Sequence, residues 1–344
     1  MKSCKKSHLF FQIYWLISSA VVLALVFSLT GVGMPGASSS FWARAAVQPE
    51  AGPYRVLVLG KDDASGLCDV IILASFDSET GKVCLAQIPR DTYFRYTEKN
   101  YKKINGAVDT LGSPEKLCRV LGDALAVEIR DYLLLDLECV KSAVDIIGGV
   151  TLNIPCDMDY DDPAQGLSIH LRKGKQTLTG EQAASFIRYR SGYLRADIGR
   201  IDAQKLFLAA FFDSASREVR GEDIPELAML AMKSVKTNMS VVQMVSVLKR
   251  ALAVSPENIT LLTLPGEEIQ SEYSGAWYYV LSRRGTAKVM EEQFGVLGAS
   301  SCFDPAHLFS DAGRPAFERI YRMDIEPQYY TVDGLSGEGI EFDE

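Results

Sequence analysis

The stretches "YRVLVLG" (54–60), "DVIILASFD" (69–77) and "KVCLAQIP" (82–89) are apolar at nearly every position. A strand with one wet face alternates apolar and polar residues, whereas a strand apolar on both faces must be covered on both. Helices therefore have to lie above and below these strands. The second and third runs flank the turn residues "SETG", which predicts a hairpin. Further strands are expected in "DYLLLDL" (131–137), "VTLNIP" (150–155) and "NITLLTLP" (258–265). Helical patterns separate them: 113–127, where Ser113 caps and Pro114 takes the first helical position, then about 139–147, 199–218 and 239–252. The fold class that follows is α/β, a three-layer α-β-α sandwich around a mixed sheet. No internal repeat is present.

Residues Leu9 to Ala43 contain no charged side chain, and Phe10–Leu29 is mostly large and apolar. About 20 apolar residues span a bilayer as a helix. Lys2, Lys5 and Lys6 precede the run, so the positive-inside rule places the N-terminus in the cytoplasm and the rest outside. The alternative is a signal peptide cut near "ARA" (43–45), but the apolar run exceeds the roughly 7–15 residues usual for a signal core. The expected organisation is a cytoplasmic stub and transmembrane anchor at 1–33, a linker at 34–53, an extracellular domain at 54–297 and an acidic, mobile tail at 298–344. The tail expectation rests on charge. Asp324–Glu344 holds seven acids and no Lys or Arg, and setting those acids aside takes the net charge from −8 to −1. No basic block points to nucleic acid. The seven cysteines follow no zinc-like spacing and no pairing is expected; Cys84 and Cys139 read as core residues. His8, His170 and His307 are too scattered to suggest a metal site or a triad.

The chemistry-bearing residues gather at strand ends, where open helix–sheet folds bind ligands. Asp62 follows the first strand, Arg90 and Asp91 follow the third, and Asp69 opens the second. If the first two strands run antiparallel, Asp62 and Asp69 converge; aspartate also suits plain turns. In "TGEQAASFIRYR" (179–190), Thr179 and Gln182 form a capping box. If the chain after that helix is extended, Arg188 and Arg190 share a face about 6.6 Å apart, suited to adjacent phosphates or simply to a solvated edge. Arg200 and Gln204 stand four apart on one helix face. Lys102 and Lys103 sit in a loop, where solvated lysines are ordinary, and Arg195 reads as a solvated loop residue. The sequence has no Walker-type glycine loop, no dinucleotide fingerprint and no nucleophile motif. Arginines that grip phosphate oxygens bidentately, with a carboxylate pair of the kind that holds Mg²⁺ alongside them, suit diphosphate binding and phosphoryl transfer.

These residues resemble the LytR-CpsA-Psr (LCP) family of the bacterial envelope. The matching segments are "GKD" 60–62, "LCD" 67–69, "QIPRD" 87–91, "KIN" 103–105, "GGV" 148–150, "LTGEQA" 178–183, "RYR" 188–190 and "DIGR" 197–200 with Gln204, spanning about 54–297. The resemblance implies a membrane-anchored enzyme that uses Mg²⁺ to transfer a glycopolymer phosphate from a polyprenyl (undecaprenyl) diphosphate carrier to a peptidoglycan hydroxyl, as in teichoic acid or capsule attachment. It implies that Asp62 and Asp69 hold the metal. Arg90, Arg188, Arg190 and Arg200, with Gln204, would surround the diphosphate, Lys103 would assist, and Asp91 would orient Arg90 or act as base. Two positions depart from the family: Leu67 and Ala203 stand where arginines are usual. A reduced cationic complement leaves open a binder or hydrolase of polyprenyl-linked glycans with weak transfer. An envelope regulator of the transcriptional-attenuator type is the other alternative, although a cytoplasmic part of about eight residues is short for DNA binding or signalling.

Overall fold

The computed structural model describes residues 53–340 other than 63–64, 98–99, 163–166, 191–192, 194–195, 273, 310–314 and 338–339. The expected anchor lies outside the described residues, as do Arg195 and all but the last residue of the linker. Among the described residues, no helix is long and apolar enough to cross a membrane.

The chain opens with β1 (Tyr54–Lys61), β2 (Cys68–Phe76) and β3 (Val83–Gln87). A small hairpin, β4 (Tyr93–Thr97) with β5 (Asn100–Lys103), leads to α1 (Ala107–Leu111) and α2 (Pro114–Leu125). Next come β6 (Asp131–Leu135), α3 (Leu137–Ile146), β7 (Val150–Ile154), the hairpin β8 (Met158–Asp162) with β9 (Leu167–Leu171), and β10 (Gly174–Leu178), which pairs back on β7. Helices α4 (Gly180–Arg188), α5 (Ala196–Glu218) and α6 (Ile224–Ser234) follow, then β11 (Lys236–Thr237), α7 (Val241–Ala253) and β12 (Ile259–Thr263). The chain ends with the hairpin β13 (Gly266–Gln270) and β14 (Trp277–Leu281), then α8 (Arg283–Phe294), α9 (Ala299–Cys302), α10 (Pro315–Arg322), β15 (Tyr330–Thr331) and α11 (Val332–Gly337).

The central sheet has the order β11-β6-β1-β2-β3-β12-β15. It is mixed: β1 runs parallel to β6 and β3 parallel to β12, while β2 lies antiparallel between β1 and β3. Alternation along each strand sends residues to two apolar clusters. Leu57, Leu59, Ile71, Leu73 and Ala86 pack with Leu117 and Leu121 of α2, Met290 and Phe294 of α8, and Phe317 and Ile320 of α10. Ile72, Leu85 and Leu261 face the other way, onto Ala209 of α5 and Val332 and Leu335 of α11. A third cluster joins α5 to α3, α4 and the strands β7–β10 through Val144, Leu152, Ile169, Phe186 and Phe207. The expected helices on both faces of a mixed sheet are thus present.

Local chemistry sets the helix ends. Ser113 accepts from Lys116 N at the start of α2, and Thr179 with Gln182 closes the expected capping box on α4. Gly180 is required by packing, since a Cβ there would lie 2.3 Å from the Lys141 carbonyl of α3.

The described part of 298–344, the segment expected to be an acidic, mobile tail, is instead packed against the domain. Phe317, Ile320 and Tyr321 are buried from one face of α10, and β15 pairs antiparallel with β12. Asp324, Glu326 and Asp333 are exposed while Phe317, Ile320, Tyr321, Val332 and Leu335 are buried, so net charge was a poor guide to order. The six cysteines from Cys68 to Cys302 are free, and Cys84 and Cys139 are buried as expected. Phe317 is 2% exposed and meets the Tyr93 ring edge-on at 4.8 Å. Phe317→Ala should therefore cost about 3–5 kcal/mol, as large-to-small core changes do. Denaturant unfolding checks this, and a midpoint equal to wild type would place the segment outside the core.

Candidate functional site

The carboxyl ends of the parallel strands β1, β3, β6 and β12 all fall on one edge of the sheet, and the amino end of antiparallel β2 meets them there. Polar residues at that edge converge by topology. The pairing of β1 with β2 contains a bulge: Gly60 faces Val70 and Lys61 faces Cys68, so Asp69 is the extra residue. A bulge re-aims a side chain without ending the strand. Here it keeps Cys68 and Ile71 in the core and frees Asp69 to face away from it. A side chain at position 60 would press on Val70, with a Cβ placed 3.0 Å from the Val70 Cβ.

Asp69 is the junction of the site. Arg90 Nη1 donates to both of its carboxylate oxygens, at 2.9 and 3.0 Å, and Arg200 Nη1 lies 3.4 Å from Oδ2. Behind Arg90, Asp91 receives the Lys103 ammonium at 2.8 Å and lies 3.8 Å from Arg90 Nε. Gln204, one turn beyond Arg200, accepts from Gln87 Nε2 at 2.8 Å; both amides are buried. Asp62 accepts from the Ser65 backbone amide and so holds the short loop between β1 and β2.

A cavity of about 360 Å³ opens here. Asp62, Asp69, Arg188, Arg190, Arg200 and Gln204 lie on its wall. Arg90 joins it through Asp69, with Asp91 and Lys103 behind. α4 ends at Arg188, and Tyr189 is extended with φ −64° and ψ 139°. That break buries the Tyr189 ring and leaves Arg188 and Arg190 on the cavity wall. Neither arginine has a side-chain hydrogen bond or ion pair among the described residues. The lining also includes apolar side chains: Val70, Leu137, Val140, Tyr160, Leu167 and Ile187. The cavity is thus amphipathic, with cationic and apolar side chains both in its lining.

Sequence reasoning missed Gln87 and Asp136. Asp136 lines the cavity from the end of β6, where it caps α3 by accepting from Cys139 N at 2.7 Å. It obeys the same strand-end logic as Asp62. Gln87 was marked by being polar inside an apolar strand and by opening the "QIPRD" segment, with no role attached to it. The two departures from the family pattern are also placed. Ala203 has no exposed surface and packs in the apolar cluster with Phe186 and Phe207, while Leu67 is half-buried with its carbonyl accepting from Asp62 N. Burial pushes the thiol of Cys68, beside the bulge, up to about 11.

Among the described residues, no group of three or more His, Cys, Asp or Glu is placed to hold a metal by itself. Asp62 and Asp69 line one cavity from adjoining strand ends and are the carboxylates that would hold a Mg²⁺ ion, which would share Asp69 with Arg90 and Arg200 and draw its remaining ligands from phosphate oxygens and water.

Similarity to known proteins agrees with this architecture. The LytR_cpsA_psr family model matches residues 36–295, and the chain belongs to that family. A relative from Oceanobacillus iheyensis is 28% identical over 257 residues, covering 72% of this chain and 77% of its own; it is named polyisoprenyl-teichoic acid–peptidoglycan teichoic acid transferase TagU. TagV of Bacillus subtilis, named for the same transfer, is 26% identical over 236 residues, covering 66% of this chain and 60% of its own. The crystal structure of B. subtilis TagV superposes with a TM-score of 0.60 at 24% identity, covering 70% of this chain and 96% of that one, which shows a shared fold.

The shared carboxylate makes a prediction. Asp69→Ala removes the group that Arg90 and the 3%-exposed Arg200 side chain have in common. Asp69 is itself 29% exposed, so the expected cost is about 2 kcal/mol, below the 3–5 of fully buried pairs. Asp62→Ala should cost about 1 kcal/mol or less, as for a lost capping bond. Thermal unfolding of the two variants side by side checks the order.

Proposed function

We propose that this chain transfers a glycopolymer phosphate from a polyprenyl diphosphate carrier to a hydroxyl of peptidoglycan, with Mg²⁺. The observation that carries the reading is the amphipathic cavity. Arg188 and Arg190 stand without counter-ions among the described residues, in a cavity also lined by apolar side chains. A lipid diphosphate has the matching shape, an anionic head joined to a hydrocarbon chain. The names of the relatives point to the same reaction class.

The chain's own groups then have definable work. Arg188 and Arg190 bind diphosphate oxygens through their planar forks. Arg90 and Arg200 are held by Asp69 at the same edge and meet charge that develops at the phosphorus. Gln204, fixed by Gln87, offers a directional amide beside them. Asp91 is committed to Lys103 and Arg90, so it orients Arg90 rather than serving as base. Asp62 and Asp69 would hold the metal, which supplies further neutralisation of phosphate charge. In the transfer, the acceptor oxygen bonds to phosphorus and the bond to the bridging oxygen breaks. The acceptor's proton ends on the departing polyprenyl phosphate. The protein mainly positions and neutralises, as is usual for phosphoryl transfer.

The test uses purified protein, a polyprenyl-diphosphate-linked glycan and peptidoglycan fragments, read as phosphodiester product. Arg188→Ala, Arg190→Ala and Arg200→Ala should each slow transfer by about 10²–10³-fold, the usual cost of one transition-state donor. Lysine at these sites should restore only part of the rate, because it lacks the fork. Chelation should stop transfer and added Mg²⁺ should restore it. Wild-type rates in all three alanine variants would remove the diphosphate from this cavity. The anchor and the extracellular placement of the domain belong to the same proposal. They rest on the charge-free run after Lys6, and a C-terminal reporter active in the cytoplasm would refute them.

A further inference from the structure

A second cavity, of about 200 Å³, opens at the same edge of the sheet. Its wall includes Asp202 and Lys205 of α5, Thr263 at the end of β12, Tyr279 of β14, and Glu326 and Gln328. The last two belong to the segment beyond the family match at 36–295. Three features set this cavity apart from a packing gap. Lys205 is 4% exposed, yet its ammonium is ion-paired to Asp202 at 2.8 Å and lies 4.8 Å from the centre of the Tyr330 ring. The Thr263 hydroxyl is buried and has no hydrogen-bond partner among the described residues. Donors and acceptors of several kinds therefore line the wall together with the Tyr279 side chain.

The two cavities share a partition. Thr263 is the register partner of Gln87, and Leu264 N donates to the Gln87 carbonyl. Lys205 follows Gln204 on α5. The Gln87–Gln204 hydrogen bond thus runs between the cationic cavity and this one. Tyr279 ties the second cavity to the arginine loop, since its backbone amide donates to the Asp91 carbonyl.

We propose that this second cavity binds a sugar ring of the acceptor glycan. The proposal rests on the transfer reading above for the identity of the glycan. In-line displacement needs the incoming oxygen and the leaving oxygen on opposite sides of phosphorus. The apolar lining of the first cavity suits the carrier lipid, so the acceptor must enter from another side, and this cavity flanks the phosphate-binding groups. Its chemistry fits a polyhydroxylated ring. Thr263, Gln328 and the Lys205–Asp202 pair exchange hydrogen bonds with hydroxyl and amide groups, while Tyr279, Pro265 and Ile325 give apolar contact. The volume admits one ring, and the rest of a strand would lie outside.

The experiment measures binding apart from chemistry. A soluble tetrasaccharide of peptidoglycan glycan strand is titrated into wild type, Thr263→Val, Gln328→Ala and Arg190→Ala, and followed by calorimetry or ligand-observed NMR. Thr263→Val keeps the shape and removes the hydroxyl; Gln328 is exposed, so Gln328→Ala keeps the fold. Each should weaken the tetrasaccharide about three- to tenfold, the loss of one hydrogen bond. Arg190→Ala should leave its affinity unchanged. In transfer assays the two cavity variants should raise the KM for the acceptor and leave the KM for the lipid donor at its wild-type value. No binding to wild type, or binding to Thr263→Val and Gln328→Ala as tight as to wild type, overturns the proposal even if transfer is robust. Binding that weakens in both variants, with no transfer by wild type, supports the glycan site and defeats the phosphotransferase reading instead.

Discussion

One carboxylate, Asp69, is shared by two guanidiniums that come from distant parts of the chain. Arg90 arrives from the end of β3 and Arg200 from the start of α5. Without an acid between them, two arginines at that spacing would repel each other in a half-desolvated place. The bulge in β2 is what puts the acid there. A regular strand would have sent position 69 into the core and Cys68 to the pocket. The helix α5, the loop after β3 and the first hairpin are thereby locked to one another at the edge where the chemistry gathers.

The site is graded in its electrostatics. Arg90 and Arg200 are already compensated within the protein, and they are held rigid by it. Arg188 and Arg190 are not, among the described residues, and they stand where a ligand would complete them. Preorganised donors cost little reorganisation when charge develops, whereas uncompensated ones give initial affinity. A single cavity that holds both kinds can bind an anion before it acts on one.

Much of this was legible in the sequence because it rests on local rules. Strand-end aspartates, the Thr179–Gln182 capping box and the i, i+4 spacing of Arg200 and Gln204 each follow from periodicity alone. What was missed depends on distant contacts. Gln87 matters only because Gln204 meets it, and nothing in "VCLAQIP" announces that meeting. The hairpin β8–β9 hides behind acidic residues in "MDYDD", although Met158, Ile169 and Leu171 turn inward. The acidic C-terminal segment misled because net charge averages over faces. Phe317, Ile320 and Tyr321, at i, i+3 and i+4, already spelled a half-buried helix.

The pairing of Thr260 with Thr331 carries a consequence for synthesis. Leu57 and Tyr321 share one apolar cluster, so the core draws on both ends of the described chain. Contacts this far apart in sequence raise the entropic barrier to closing the sheet, and they slow folding. Until the final strand arrives, β12 presents an uncovered row of amides and carbonyls, which invites pairing with other chains. A chain released early, or cut before Tyr330, would expose an adhesive edge as well as lose its last elements.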